Sequence, residues 1–210
     1  DESGLGYASS WLENFMSLAD LLKRYRPGSE YDLYTRYGSK FERWYHTGFA
    51  LLNGRQGGPG IGDSDKCGNP GSHGDVNQMI KAFELFGTPR FAQIAYWASK
   101  GNLNSIHSDI FHPEPQRIVY DICMVINEYG DYNIDNVNLG GYGYSVLRSG
   151  DVFEGNFRAL WMYYGRNNTS HAHKDRLNLG LIGFDLDLMP DLGYPERTGA
   201  WPKRLAWTSN

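Results

Sequence analysis

The sequence predicts an α+β protein, helices first and an antiparallel sheet second. Three observations carry that expectation. Apolar residues recur at helical spacing as far as about residue 131, and beyond it they alternate with period two. A long Gly-, Pro-, Asp- and Ser-rich stretch then punctuates the helical part without belonging to either pattern.

Tyr7, Trp11, Phe15, Leu18 and Leu22 recur at steps of four, four, three and four, one face of a helix that ends before Arg26-Pro27. A second helix is expected over Lys40–Leu52, with Phe41, Trp44, Tyr45 and Phe49 on one side. The stretch NGRQGGPGIGDSDKCGNPGSHGD follows. Structureless segments on the order of twenty residues are uncommon inside a compact domain and are usually functional. Shorter helices are expected over Val76–Phe86, Pro89–Ser99 and Gln116–Glu128, separated by proline-rich breaks. Beyond Asp131, GYGYSVLRSGD has strand composition after a glycine pair. NFRALWMYYG reads as a strand with Ala159, Trp161 and Tyr163 on one face and Leu160, Met162 and Tyr164 on the other. RLNLGLIGFDLDLM reads as a hairpin: Leu177, Leu179 and Leu181 alternate, Gly183 turns, and Phe184, Leu186 and Leu188 alternate again. The division is expected as residues 1–135 helical and 136–210 sheet.

The bulk numbers bound the function. A chain of 210 residues with 40% hydrophobic content can bury a sizeable core. A net charge of −4 argues against a nucleic-acid binder, although a local basic patch could still meet an anionic substrate. No apolar run is long enough to span a membrane, and no signal sequence is present. Aromatic residues make up 15% of the chain, which suits a groove that stacks on sugar rings and equally an aromatic core. The opening DESGLGY and the closing AWTSN read as the edges of a piece of a longer protein. The two cysteines, Cys67 and Cys123, leave a bridge and two separate thiols both open.

The sharpest local pattern is His171 and His173, one residue apart just before the alternating run that ends near Asp191. On an extended chain, residues two apart face the same side. A hairpin returns its end beside its start, which would bring Asp191 near His173. Two imidazoles and a carboxylate suit Zn²⁺, which takes four ligands, or three and water. A surface pair of histidines held by ordinary hydrogen bonds is the plainer alternative.

HAHKDRLNLGLIGFDLDLMPDLGYPE resembles the signature that opens the C-terminal β-sandwich of the heparinase II/III-like polysaccharide lyases. GYGYSVLRSGD and LWMYYGR resemble the strands before it, GPGIGDSD the glycine-aspartate loop late in that family's (α/α) toroid, and DESGLGY the segment carrying a catalytic tyrosine. The resemblance implies incomplete toroid helices followed by antiparallel β-sandwich strands. It also implies β-elimination of a uronic-acid polysaccharide: heparin, heparan sulfate or another glycosaminoglycan, with alginate as the nearest rival. Tyr7 would act as acid, and in some members as base as well. His171 would be base or positioning group. His173 and Asp191 would hold a structural zinc whose third protein ligand is expected beyond Asn210. The family's asparagine-histidine pair, which neutralises the uronate, would lie upstream of Tyr7. A periplasmic or secreted location and room for a homodimer are implied in the same way.

Arg55, Arg148, Arg166 and Lys174 are candidates to bind uronate or sulfate, since a guanidinium can grip such anions with two hydrogen bonds. A solvated surface role is the alternative for each. Asp63 and Asp65 lack the ligand cycle of a calcium loop and suit a turn. His46, His73, His107 and His112 read as loop or surface residues. Two rival functions remain: a non-catalytic carbohydrate-binding fragment, and a zinc hydrolase. The second is disfavoured because no acidic residue sits at the helical spacing of an HExxH motif to act as base.

Overall fold

The computed structural model describes residues 5–53, 58–61, 76–108, 112–151, 154–166, 176–184 and 186–190, with the backbone only over 5–10. It is α+β: five α-helices precede five strands among these residues. The described residues fall into two compact units. One lies within Leu12–Phe49 and Gly74–Asn133, the other within Asp1–Trp11, Ala50–His73 and Ile134–Asn210.

In the helical unit, α1 (Leu5–Tyr25) ends before Pro27 as its spacing predicts. Its buried residues, however, are Leu12, Met16 and Ala19, while Trp11, Phe15 and Leu18 are 56%, 40% and 46% exposed. The expected stripe is thus displaced by one residue. The reason is close packing: the Tyr45 hydroxyl donates to Met16 Sδ at 2.9 Å, and the Tyr34 hydroxyl donates to Asp20 Oδ1 at 2.9 Å. Two tyrosines lying against α1 need the slimmer Met16–Ala19 side. Burial and the Asp20 bond push the Tyr34 phenol well above its ordinary range.

α2 (Leu33–Ala50) starts seven residues before the expected Lys40. Asp32 makes that start. Its Oδ1 accepts the Tyr34 and Thr35 amides at 3.1 and 3.2 Å, an N-cap, and its Oδ2 accepts the Gly28 amide at 3.1 Å. Tyr37, with φ −129° and ψ 23°, kinks the helix just before Gly38. Phe41, Tyr45 and Phe49 are buried as expected. α3 (Val76–Phe86) and α4 (Pro89–Ala98) fall where the sequence puts them, and Pro89 opens α4 where its missing amide proton costs nothing. α5 (Arg117–Tyr129) stops at Gly130, whose φ of 78° few other residues adopt readily. The core centres on Phe91, which meets Tyr45 edge-on at 6.0 Å and stacks on His46 at 4.4 Å. His46 is therefore a packed residue rather than a surface one, and burial lowers its pKa.

The other unit is built on a five-stranded antiparallel meander in the order β1 to β5. The strands are β1 (Val137–Leu139), β2 (Tyr144–Ser149), β3 (Arg158–Tyr163), β4 (Asn178–Gly183) and β5 (Leu186–Asp187). Alternation sorts the side chains: Tyr144, Val146, Ala159, Trp161 and Tyr163 are buried, while Leu147 and Leu160 on the other face are 60% and 44% exposed. β1 has only three residues, among asparagines, too short to show alternation. The β4–β5 turn falls on Phe184, at φ 55°, rather than on Gly183, which pairs with Leu186. Leu51, Leu52, Asn53 and Ile61 are also buried and belong to this unit. No helix among the described residues is long and apolar enough to cross a membrane.

Candidate functional site

The His-x-His segment lies in the connection between β3 and β4. Tyr163, the last residue of β3, is the register partner of Asn178, the first of β4, so the connection begins and finishes at the same end of this strand pair. His171, His173 and Lys174 within it lie outside the described residues.

Its base is firmly built. Tyr163 donates through its hydroxyl to the Arg166 carbonyl at 3.0 Å, and its ring packs on Tyr142 at 5.8 Å. The Tyr164 hydroxyl donates to Asn138 Oδ1 at 2.6 Å, the atom that also accepts the Ser145 hydroxyl. Gly143, at φ 84°, lies so close to Gly165 that a Cβ on it would overlap that residue's backbone. The glycine pair lets the β1–β2 turn and the end of β3 cross in contact, and the Tyr164 amide donates to the Gly143 carbonyl at 2.7 Å.

At the far end of β4, β5 turns back antiparallel, with Asp187 opposite Ile182. The amides of Leu188 and Met189 then both donate to the Leu181 carbonyl, at 2.8 and 3.3 Å. The chain past β5 is thus travelling back along β4 toward Asn178. Asp191, two residues further on, lies outside the described residues.

Arg148, expected as a substrate-binding cation, is instead enclosed by the protein's own main chain. Its side chain enters the interior of the sheet unit, 9% exposed. Nε donates to the Leu52 carbonyl at 2.8 Å, one terminal nitrogen to the Ala50 carbonyl at 2.8 Å, and the other to the Asp135 carbonyl at 2.5 Å. A guanidinium committed to three main-chain oxygens is a structural clamp and not a hand for a sugar anion. Beside it, the buried Tyr144 hydroxyl donates to Asn53 Oδ1. Burial pushes the Tyr144 phenol far up, against the opposing pull of the Arg148 charge. Nothing in the sequence alone distinguishes this arginine from a ligand-binding one, because its partners are backbone atoms, two of them almost a hundred residues away.

Of the other candidates, Arg166 is exposed at the foot of the histidine segment, and Arg55 lies outside the described residues. Tyr7 belongs to the first turns of α1, where only the backbone is described. Cys123 is a half-buried free thiol, and Cys67 lies outside the described residues. Among the described residues, no three His, Cys, Asp or Glu side chains are grouped to hold a metal ion. The two zinc candidates, His173 and Asp191, are not among those residues.

Comparison with solved structures supplies the nearest bearing. The heparan sulfate lyase HepC from Pedobacter heparinus superposes with a TM-score of 0.63 at 17% identity, over 98% of this chain and 27% of its own. The likeness is one of fold. A mutant of that lyase gives 0.61 at 16% identity, with the same two coverages. A heparinase III gives 0.50 at 13% identity, over 93% of this chain and 26% of its own. The chain thus spans about a quarter of the length of the structures it matches. No family model and no curated protein matches it. The order of helices followed by sheet is therefore a heparan-sulfate-lyase-like fold segment.

Proposed function

We propose that this chain is the part of a polysaccharide lyase in which helical and sheet portions contribute one catalytic group each, and that the enzyme cleaves a uronic-acid polymer by β-elimination. The observation that carries the reading is the fold: 98% of the chain superposes on HepC, with a TM-score of 0.63. The sequence around His171 and Tyr7 points the same way.

The chemistry sets what the residues must do. The C5 proton of a uronate lies beside a carboxylate and is very weakly acidic, so that carboxylate must be neutralised before the proton can leave. His171 takes the C5 proton. Its electron pair forms the C4–C5 double bond as the C4–O4 bond breaks, and the Tyr7 hydroxyl protonates the departing O4. Arg55, Arg166 and Lys174 are the cations proposed to meet uronate or sulfate. His173 and Asp191 offer one nitrogen and one oxygen, a donor set that suits zinc but needs further ligands to complete four. That metal would fix the histidine segment and take no part in the proton transfers.

The test is ultraviolet absorbance of the unsaturated uronate when the protein carrying this chain meets heparan sulfate, other glycosaminoglycans or alginate. Tyr7→Phe and His171→Ala should each lower turnover by about a hundredfold or more, with folding unchanged. Absence of unsaturated product from every one of these polymers ends the reading. Elemental analysis decides the zinc separately.

A further inference from the structure

The helical unit also contains a cleft of about 920 Å³, none of whose lining residues belongs to the histidine segment. Three pieces of chain form it. Asp20, Lys23 and Arg24 lie three and four apart, on one face of the last turns of α1. Ile80, Lys81 and Glu84 present one face of α3 in the same way. His107, Ser108 and His112 come from the link ahead of α5. The volume is at the upper end of what small-molecule sites enclose, room for several sugar rings rather than for a single ion.

The charges in this cleft are unevenly available. Both of its carboxylates are already engaged by donors from the protein. Asp20 accepts the Tyr34 hydroxyl and is ion-paired with Lys81, and Glu84 accepts the Ser108 hydroxyl. Lys23 is exposed, its ammonium 5.6 Å from the centre of the Tyr34 ring. Arg24 is exposed, and among the described residues no hydrogen bond or ion pair holds its guanidinium. His112 Nδ1 accepts the Glu114 amide at 3.1 Å, which puts its proton on Nε2 and makes that nitrogen a donor. Apart from His107, whose Nδ1 is spent on the Ser108 carbonyl at 3.0 Å, the groups left over are donors and cations: an ammonium, a guanidinium and an imidazole N–H.

We infer that this cleft binds an oxyanion-bearing saccharide, with Arg24 gripping a sulfate or carboxylate and Lys23 and His112 completing the anion's hydrogen bonds. The oxyanion is read from the cleft itself. The choice of a saccharide rests on the lyase reading. The site would serve a polymer chain as an anchoring subsite.

Calorimetric titration with a heparin-derived sulfated tetrasaccharide, its desulfated counterpart and inorganic sulfate tests the inference. The sulfated tetrasaccharide should bind. A Lys23→Ala/Arg24→Ala variant should weaken that binding at least tenfold while leaving the circular dichroism spectrum unchanged, because both side chains are exposed. His112→Ala should weaken it by a smaller factor. Equal affinity of the parent and the double variant overturns the site. So does inorganic sulfate binding as tightly as the tetrasaccharide, since the cleft would then recognise the ion and no sugar. The two readings fail separately: without unsaturated product from any polymer the lyase proposal falls, while Arg24-dependent binding would still stand.

Discussion

Arg148 and Asp32 show how single polar side chains hold this protein together from inside. Arg148→Met would leave the carbonyls of Ala50, Leu52 and Asp135 without their donor. A buried group stripped of its partner costs roughly 1–3 kcal/mol, so the variant should lose about 3 kcal/mol or more by urea unfolding. Arg148→Lys should recover little, because one ammonium cannot span three separated oxygens. Asp32→Ala should cost about 1–2 kcal/mol through loss of the α2 cap, and Asp32→Asn much less. Burial would by itself raise the Asp32 pKa, but bonds from Gly28 and Thr35 and the Lys23 charge outweigh it and hold the carboxyl below its ordinary value. Its stabilisation is thus complete above the unfolded aspartate pKa and is lost as the pH falls through the lowered native one. The gap between parent and Asp32→Asn in urea midpoint should shrink on that descent.

At the level of elements, the sheet is the more exacting part. Gly180 on β4 faces Trp161 on β3 in register, and a Cβ there would overlap the indole ring. Gly180→Ala should therefore destabilise the sheet by about 1–3 kcal/mol, seen as a lower Tm. The same strands explain what the sequence could disclose. β3 reveals itself because Ala159, Trp161 and Tyr163 alternate over a full strand, and α3 because its apolar spacing runs cleanly between breakers. α1 misleads. It carries two apolar stripes one residue apart, and only the tyrosines of α2 select Leu12–Met16–Ala19 over the bulkier Trp11–Phe15–Leu18. β1 stays hidden because three residues hold no period, and the clamp role of Arg148 stays hidden because carbonyl acceptors leave no trace in residue type. The His-x-His segment is the reverse case. Its pattern is plain in the sequence, and the described strands supply the end of β3 from which it departs.

Across the whole molecule, tyrosine burial sets the alkaline limit. The phenols of Tyr34, Tyr45 and Tyr144 are all driven upward, in each case mainly by burial. In the unfolded chain they ionise near their ordinary value of about 10, while in the native state they remain protonated well beyond it. The unfolded state therefore releases protons first, and stability should fall as pH rises past about 10, by up to about 1.4 kcal/mol per pH unit for each tyrosine. Urea midpoints compared between neutral and strongly alkaline buffer would check this, and a flat profile would contradict the burial of these rings. The Arg148 clamp also imposes a schedule on biosynthesis. Two of its three acceptors precede it by 96 and 98 residues, so at a ribosome adding about 5–20 residues per second they are made roughly 5–20 s before it. Throughout that interval the Ala50 and Leu52 carbonyls lack the donor that the finished chain gives them.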